Sequence, residues 1–255
     1  LPDLVVIAGP NGAGKSTAAP LLIGKRLGIA EFVNADVIAA GLSGFSPENA
    51  AFEAGRIMLR RLDALAASGA DFAFETTLAS RHFARWIAKL TQERGYRFHL
   101  FYLWLPDVEQ NVRRVAGRVR QGGHAVPEDV IRRRYASGLA NFHELYRPIA
   151  DWWGLYDNSD SARLIAEQTA GRSVKVFDLR RWSEIQKRME AREQEGLYEG
   201  AAGESTVMGV PVSQLTEAIQ EAGREARRRH KALGYPIVIM RDGKVIEVPP
   251  EEIEV

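Results

Sequence analysis

The chain has 255 residues, 45% of them hydrophobic, enough for one substantial core with a small appendage. A formal net charge of +1 gives no general case for nucleic acid or an anionic membrane, and the absence of cysteine excludes disulfides, thiolate metal sites and a cysteine nucleophile. No run approaches the ~18 apolar residues that a membrane span needs, and no signal-peptide pattern precedes the first strand, so a cytoplasmic enzyme is expected.

Leu4–Ala8 is a continuous apolar run, as in a strand buried on both faces of a parallel sheet. Directly after it, Gly9-Pro10-Asn11-Gly12-Ala13-Gly14-Lys15-Ser16-Thr17 completes the G-x-x-x-x-G-K-[ST] pattern. The glycines let the backbone curl so that successive N–H groups and a helix N-terminus point at phosphate oxygens. Lys15 would reach the β- and γ-phosphates of a nucleotide and Ser16 would ligate Mg²⁺. A helix is expected from Gly14 to about Leu27, and a short strand at Glu31–Asn34 leads to Asp36. Pro47 to Ser68 reads as a long helix with Phe52, Ile57, Met58, Leu62 and Leu65 on one side.

Phe72–Phe74 is a strand that delivers Glu75-Thr76-Thr77 at its C-terminal end. A helix over about Ser80–Arg94 stops at Gly95, and Arg97–Leu105 is a strongly apolar strand ended by Pro106. Asp107 caps a helix to about Gln121 bearing Arg113, Arg114, Arg118 and Arg120. After Gly122-Gly123-His124, Pro127-Glu128-Asp129 opens another helix with Arg132, Arg133 and Arg134 near its start. Its apolar side carries Ile131, Tyr135, Leu139, Phe142 and Tyr146. Leu155–Asn158 and Leu164–Glu167 suit strands, the latter pairing with Val174–Phe177, and Ser183 to about Glu195 suits a charged surface helix.

Repeated strand–helix units imply an α/β fold: a P-loop kinase-like doubly wound parallel sheet with an Arg-rich helical lid. Ligands of such sheets bind beyond the carboxyl ends of the strands, where Gly9, Asp36 and Glu75 all fall. The Gly-, Ala- and Ser-rich stretch 196–209 marks a boundary. Beyond it, Val212–Leu233 is an amphipathic helix on Leu215, Ile219, Ala222 and Ala226, and Pro236–Arg241, Asp242-Gly243 and Lys244–Val248 make a β-hairpin. A helix and one hairpin cannot bury an adequate core alone, so this unit should dock on something. The division expected is 1–182 for the kinase domain, 183–207 for a charged helix and linker, and 208–255 for the small unit.

A P-loop by itself indicates a bound nucleotide; phosphoryl transfer to a hydroxyl further needs a carboxylate near the acceptor, Mg²⁺ and cations on the moving group. Asp36 is the candidate general base, or else the N-cap of the helix that follows. Glu75 could hold a Mg²⁺ water or a substrate hydroxyl, with Thr76 and Thr77 as neutral hydrogen-bonders, or could only cap the next helix. The Arg-rich helices joined by Gly122-Gly123 read as a lid, with Arg118 and Arg120 the candidates for phosphate and the remaining arginines a solvated face. The other reading of the same residues is a nucleotide-dependent regulatory ATPase or binding module, with Asp36 merely structural.

GPNGAGKST, FVNAD, FAFETTLAS, FYLWLP and RVRQGGHAVPEDVIRRRY, in this order over about Leu4 to Asn158, resemble the zeta-toxin family of P-loop kinases. That resemblance implies ATP and Mg²⁺ as cofactors and a sugar-nucleotide hydroxyl of the UDP-N-acetylglucosamine type as acceptor. It also implies Lys15 as the phosphate lysine, Asp36 as the base, Glu75 and Thr77 on the substrate side, and Arg118 and Arg120 in a transition-state clamp. The lid sequence GGHAVPEDVIRRRY departs from the family's best-known members, which bears on the individual arginines and the identity of the sugar nucleotide; related folds phosphorylate a dinucleotide or a nucleic-acid end, and the basic lid would tolerate either polyanionic acceptor. The segment from PVSQLTEAIQEAG to VIEVPPEEI resembles the small cognate antitoxins of this kinase type, and Met208 would suit its native start. Docked in cis or in trans, it would cover apolar surface of the kinase and could obstruct nucleotide entry.

Overall fold

The computed structural model describes residues 1–43, 50–123, 125–190, 198–199 and 205–255. Of the expectations above, the start of the long helix at Pro47, His124 and most of the 196–209 boundary lie outside the described residues.

Apolar continuity in the first strand has its physical counterpart at once. β1 (Asp3–Ala8) is buried along its whole length and lies between β3 (Phe72–Thr76) and β4 (Arg97–Trp104), parallel to both. β2 (Glu31–Val33) adds to the outer side of β3, and β5 (Trp152–Asp157) runs parallel to β4. Beyond β5 the sheet is no longer parallel, and the β6–β7 hairpin is the one expected from the sequence. β6 (Arg163–Thr169) pairs antiparallel with β5, and β7 (Val174–Val176) antiparallel with β6. The cause is connection length: residues 158–162 and 170–173 are turns, and a parallel return needs a crossover of a dozen residues or more. With β8 (Tyr198–Glu199) the order is β2-β3-β1-β4-β5-β6-β7-β8.

Helices cover both faces. α1 (Lys15–Ala19) follows the phosphate loop and passes at Pro20 into a π-helical stretch to Arg26, so the expected single helix is broken in pitch where proline removes a backbone donor. α2 (Ala35–Leu42), α3 (Ala51–Ser68), α4 (His82–Arg94), α5 (Val108–Arg120) and α6 (Glu128–Asn141) complete the strand–helix alternation. Phe52 does not share the apolar side of α3: it is 81% exposed, while Met58, Leu62 and Leu65 pack against Leu4, Phe72 and Phe74. α7 (Leu179–Glu190) begins before the expected Ser183 and is more than a charged surface helix, because Trp182, Ile185 and Met189 join the same core.

The opposite face of the sheet offers Val5, Ile7, Phe101, Leu103, Trp152 and Tyr156. α1 covers only part of it. The remainder is closed by the C-terminal residues: a small hairpin of β9 (Thr206–Val207) and β10 (Val210–Pro211), turning through Met208 and Gly209, and then α8 (Val212–Ala232). Val207, Val212, Leu215 and Ile219 are buried in one cluster with Ala18, Leu22 and Ile23. The last hairpin, β11 (Ile237–Arg241) and β12 (Lys244–Val248), turns through Asp242 at φ 51° and Gly243 at φ 73°, as its Asp-Gly sequence requires. It lies along α5.

Candidate active site

Gly9 opens the phosphate loop with φ 140°, and a Cβ placed there would stand 2.1 Å from the carbonyl oxygen of Leu103. Only glycine lets the loop press against β4 at this point. The loop is then gripped by three side chains, two from α5 and one from the turn after β5. Asn111 Nδ2 donates to the Asn11 carbonyl at 2.6 Å, Asn158 Nδ2 to the Ala13 carbonyl at 2.8 Å, and Arg114 Nη1 to the Gly12 carbonyl at 3.4 Å.

Lys15 is buried, and its Nζ donates to the Pro10 carbonyl at 3.0 Å while lying 3.6 Å from Glu75 Oε1. Burial pulls its pKa below the ordinary lysine value, and the Glu75 and Asp36 carboxylates pull it partly back. Ser16 Oγ donates to Glu75 Oε2 at 2.8 Å, and Asn34 Nδ2 donates to the same oxygen at 2.7 Å. Glu75 is held beside the loop because β3 pairs in parallel with β1, Ile7 opposite Glu75. This overturns the reading of Glu75 as a cap, since its carboxylate serves Ser16, Lys15 and Asn34 and the next helix starts only at His82.

Asp36 is likewise not an N-cap. Asn34 takes that role, its Oδ1 accepting from the backbone N–H of Asp36 at 2.8 Å and of Val37 at 3.3 Å. Asp36 sits exposed in the first turn of α2, where the helix N-terminus favours a carboxylate. Thr76 and Thr77 turn their hydroxyls to the loop that follows, accepting from the N–H of Leu78 and of Ala79.

Two cavities meet at these residues. One, of about 310 Å³, runs from Lys15, Ser16 and Thr17 past Arg118 and Arg120 to the C-terminal helix and hairpin. The other, of about 510 Å³, is bounded by Thr76, Thr77, Phe52, Arg56, Phe83 and Arg134. Asn11, Lys15, Asp36 and Glu75 line both. The junction lies beyond the carboxyl ends of the parallel strands, the place the fold reserves for ligands.

The arginines divide by what holds them. Arg114 is fixed by carbonyls: Nε to Val238 at 2.9 Å, Nη1 to Asn158 at 3.0 Å and Nη2 to Ser159 at 2.8 Å. Burial, with Arg227 nearby, pushes its guanidinium down to about 10. Arg120 pairs with Glu247 of the last hairpin at 3.3 Å, Arg132 with Glu109 and Glu128, and Arg134 Nη1 donates to Asn11 Oδ1 at 3.5 Å. Asn34, Asn111, Arg114, Arg134 and Asn158 join the site with no motif to mark them in the sequence. Asn111, Arg114 and Arg118 stand three and four residues apart on α5, which would have shown that one face of this helix addresses the loop.

Ser16 and Glu75, joined at 2.8 Å, offer a hydroxyl and a carboxylate, hard oxygen donors of the kind Mg²⁺ takes beside substrate phosphates. Among the described residues no group of three or more His, Cys, Asp or Glu could hold a metal. These donors therefore fit a cation that completes its shell with nucleotide and water oxygens.

Residues 4–145, more than half of the chain, match the family model described as AAA domain (AAA_33). The chain belongs to this AAA domain family. A relative from Haemophilus influenzae, described as an uncharacterized protein, is 29% identical over 131 residues, 51% of this chain and 91% of that one. Among solved structures, the complex of AvrRxo1-ORF1 and -ORF2 with ATP is similar at a TM-score of 0.61 and 18% identity, over 76% of this chain and 66% of that chain. The same pair with sulphate ions gives 0.59 and 17%, over 72% and 63%. The chain thus spans just under two thirds of the length of those chains. At such identities the likeness is one of fold, and the fold of this AAA domain is the P-loop kinase-like one. Among the described residues no helix is long and apolar enough to cross a membrane.

Proposed function

We propose that this AAA domain protein is an ATP- and Mg²⁺-dependent phosphotransferase of the zeta-toxin kind, with an alcohol group of a sugar nucleotide resembling UDP-N-acetylglucosamine as acceptor. The observation that carries this reading is the position of Asp36: exposed, relieved of capping by Asn34, and shared by the two cavities. A nucleotide with its phosphates on Gly9–Thr17 and an acceptor hydroxyl in the second cavity would meet there.

In the transfer, Asp36 accepts the proton of the acceptor hydroxyl as its oxygen bonds to the γ-phosphorus, and the bond from that phosphorus to the β,γ-bridging oxygen breaks to release ADP. Lys15 follows the charge that develops on the phosphates, and Arg118 and Arg120 approach it from the lid. Mg²⁺, when bound near Ser16 and Glu75, supplies charge neutralisation on the phosphate oxygens. Glu75 keeps Lys15 and Ser16 in register. Phe52 and Phe83 offer aromatic surface, and Arg56 and Arg134 offer cations, in the cavity that would take the acceptor. That pairing suits a base and a diphosphate, and other polyanionic acceptors such as a dinucleotide share the second feature.

The test is incubation of the full chain with ATP, Mg²⁺ and a panel of nucleotide sugars, with products read by mass. A product 80 Da heavier than its acceptor (roughly one phosphoryl group), absent in Asp36→Asn and Lys15→Ala, supports the kinase. ATP hydrolysis with no phosphorylated acceptor supports a regulatory ATPase instead.

A further inference from the structure

The first cavity has two chemically different ends. At one lie the phosphate loop and Lys15; at the other, walls are provided by Ile219, Ala222 and Ala226 of α8 and by Pro236, Ile237 and Ile239 around β11. The C-terminal segment borders this space without filling it. A Cβ built on Gly223, which also lines the cavity, meets no heavy atom within 4 Å.

The wall is firmly set. Val238 accepts from Arg114 Nε at 2.9 Å, the Met240 N–H donates to the Ser159 carbonyl at 3.3 Å, and Arg227 is bound by the carbonyl and carboxylate of Asp160. Arg114 also contacts the Gly12 carbonyl, so one side chain ties phosphate loop to hairpin. α8 itself shares a core with α1, the helix that carries Lys15 and Ser16.

We propose that the C-terminal helix and hairpin form the nucleoside half of the ATP site. With the triphosphate on Gly9–Thr17, the adenosine extends along the cavity to lie against Ala222, Gly223 and Ala226 on one side and Ile237 and Ile239 on the other. The apolar walls of this slot suit the faces of a purine, Arg227 and His230 of α8 and Asp160 also line the cavity and offer its edge polar partners, and about 310 Å³ is within the range of small-molecule sites. The segment then completes the nucleotide site, in contrast to the obstruction that its resemblance to an antitoxin would suggest. This rests on the proposed ATP-dependent reading.

The experiment compares binding of Mg-ATP and Mg-tripolyphosphate to the full chain by calorimetry, for the unaltered protein and for Gly223→Leu. Leucine replaces glycine inside a helix, which favours the helix, and the added side chain enters the slot. The expected result is a loss of ATP affinity of about tenfold or more with tripolyphosphate binding unchanged. Ala226→Leu, on the same side of α8, is expected to give the same split and serves if Gly223→Leu melts at a lower temperature. ATP affinity retained in both variants overturns the proposal. So does an unaltered protein that binds tripolyphosphate as tightly as ATP, because the nucleoside then contributes nothing. Binding of neither ligand to the unaltered chain defeats the ATP-dependent reading and the proposal together.

Discussion

Ser16 donates its hydroxyl hydrogen bond to Glu75 across 2.8 Å, joining the first turn after the phosphate loop to the end of a strand 59 residues away. The same carboxylate receives Asn34 and faces Lys15. Glu75 is therefore the point at which the nucleotide-facing groups are brought into register. Glu75→Gln keeps the shape but removes the charge, so phosphotransfer is expected to fall by roughly 100-fold and to need more Mg²⁺. Turnover measured against Mg²⁺ concentration checks this, and an unchanged dependence would remove Glu75 from the site.

Asp36 and Asn34 separate chemistry from capping. Asp36→Asn leaves the Asn34 cap intact, and loss of a carboxylate at a helix N-terminus costs about 1 kcal/mol or less. Its turnover is expected to drop by about 10²- to 10⁴-fold. Asn34→Ala, by contrast, should cost about 1 kcal/mol of stability through the lost cap and also release Glu75. Denaturation midpoints and turnover of the two variants, measured side by side, decide between a catalytic and a structural Asp36.

Lys15 introduces a pH dependence. Its folded-state pKa is below the ordinary lysine value because burial disfavours the charged form. As pH rises through that lowered pKa, the free protein loses the Lys15 charge, and binding of a polyanionic nucleotide must then recover a proton from solvent. ATP affinity is thus expected to weaken at a pH below the usual lysine range. The unfolded chain holds this proton to higher pH, so between the lowered and the ordinary pKa the same group makes the fold more stable as pH rises. Proton uptake on ATP binding, obtained from calorimetry in buffers of different ionisation enthalpy, should vanish in Lys15→Met.

Arg114 and Arg120 both stand on α5, six residues apart, with different duties. Arg114 satisfies carbonyls of the phosphate loop, of the turn after β5 and of the last hairpin, so Arg114→Met should cost about 3 kcal/mol and loosen the hairpin. Arg120 makes one exposed pair with Glu247, so Arg120→Ala should change stability by about 1 kcal/mol or less. A larger stability loss for Arg120 than for Arg114, by urea denaturation, would invert this assignment.

Local patterns made much of this molecule legible. The apolar run before Gly9 is a strand buried on both faces, and Asp242-Gly243 is the turn its positive φ values demand. Elements defined by neighbours in the chain are readable because their hydrogen bonds and periodicity are local. Phe52 leaves the core for an equally local reason: at 3.6 residues per turn it stands roughly 80–140° round α3 from Met58, Leu62 and Leu65, on a side that meets the cleft.

The phosphate loop, the strand–helix alternation and the carboxylates at strand ends follow from residue order, since each rests on short-range backbone geometry. Tertiary structure alone decided that Asn34 and not Asp36 caps α2, that Glu75 gathers Lys15 and Ser16, and that Arg114 ties loop to hairpin. It also decided where the C-terminal helix lies: against α1 and along the cavity that opens from the phosphate loop. An amphipathic stripe announces that a helix must bury one face, but the surface it buries that face on is set by which part of the sheet the other helices leave uncovered.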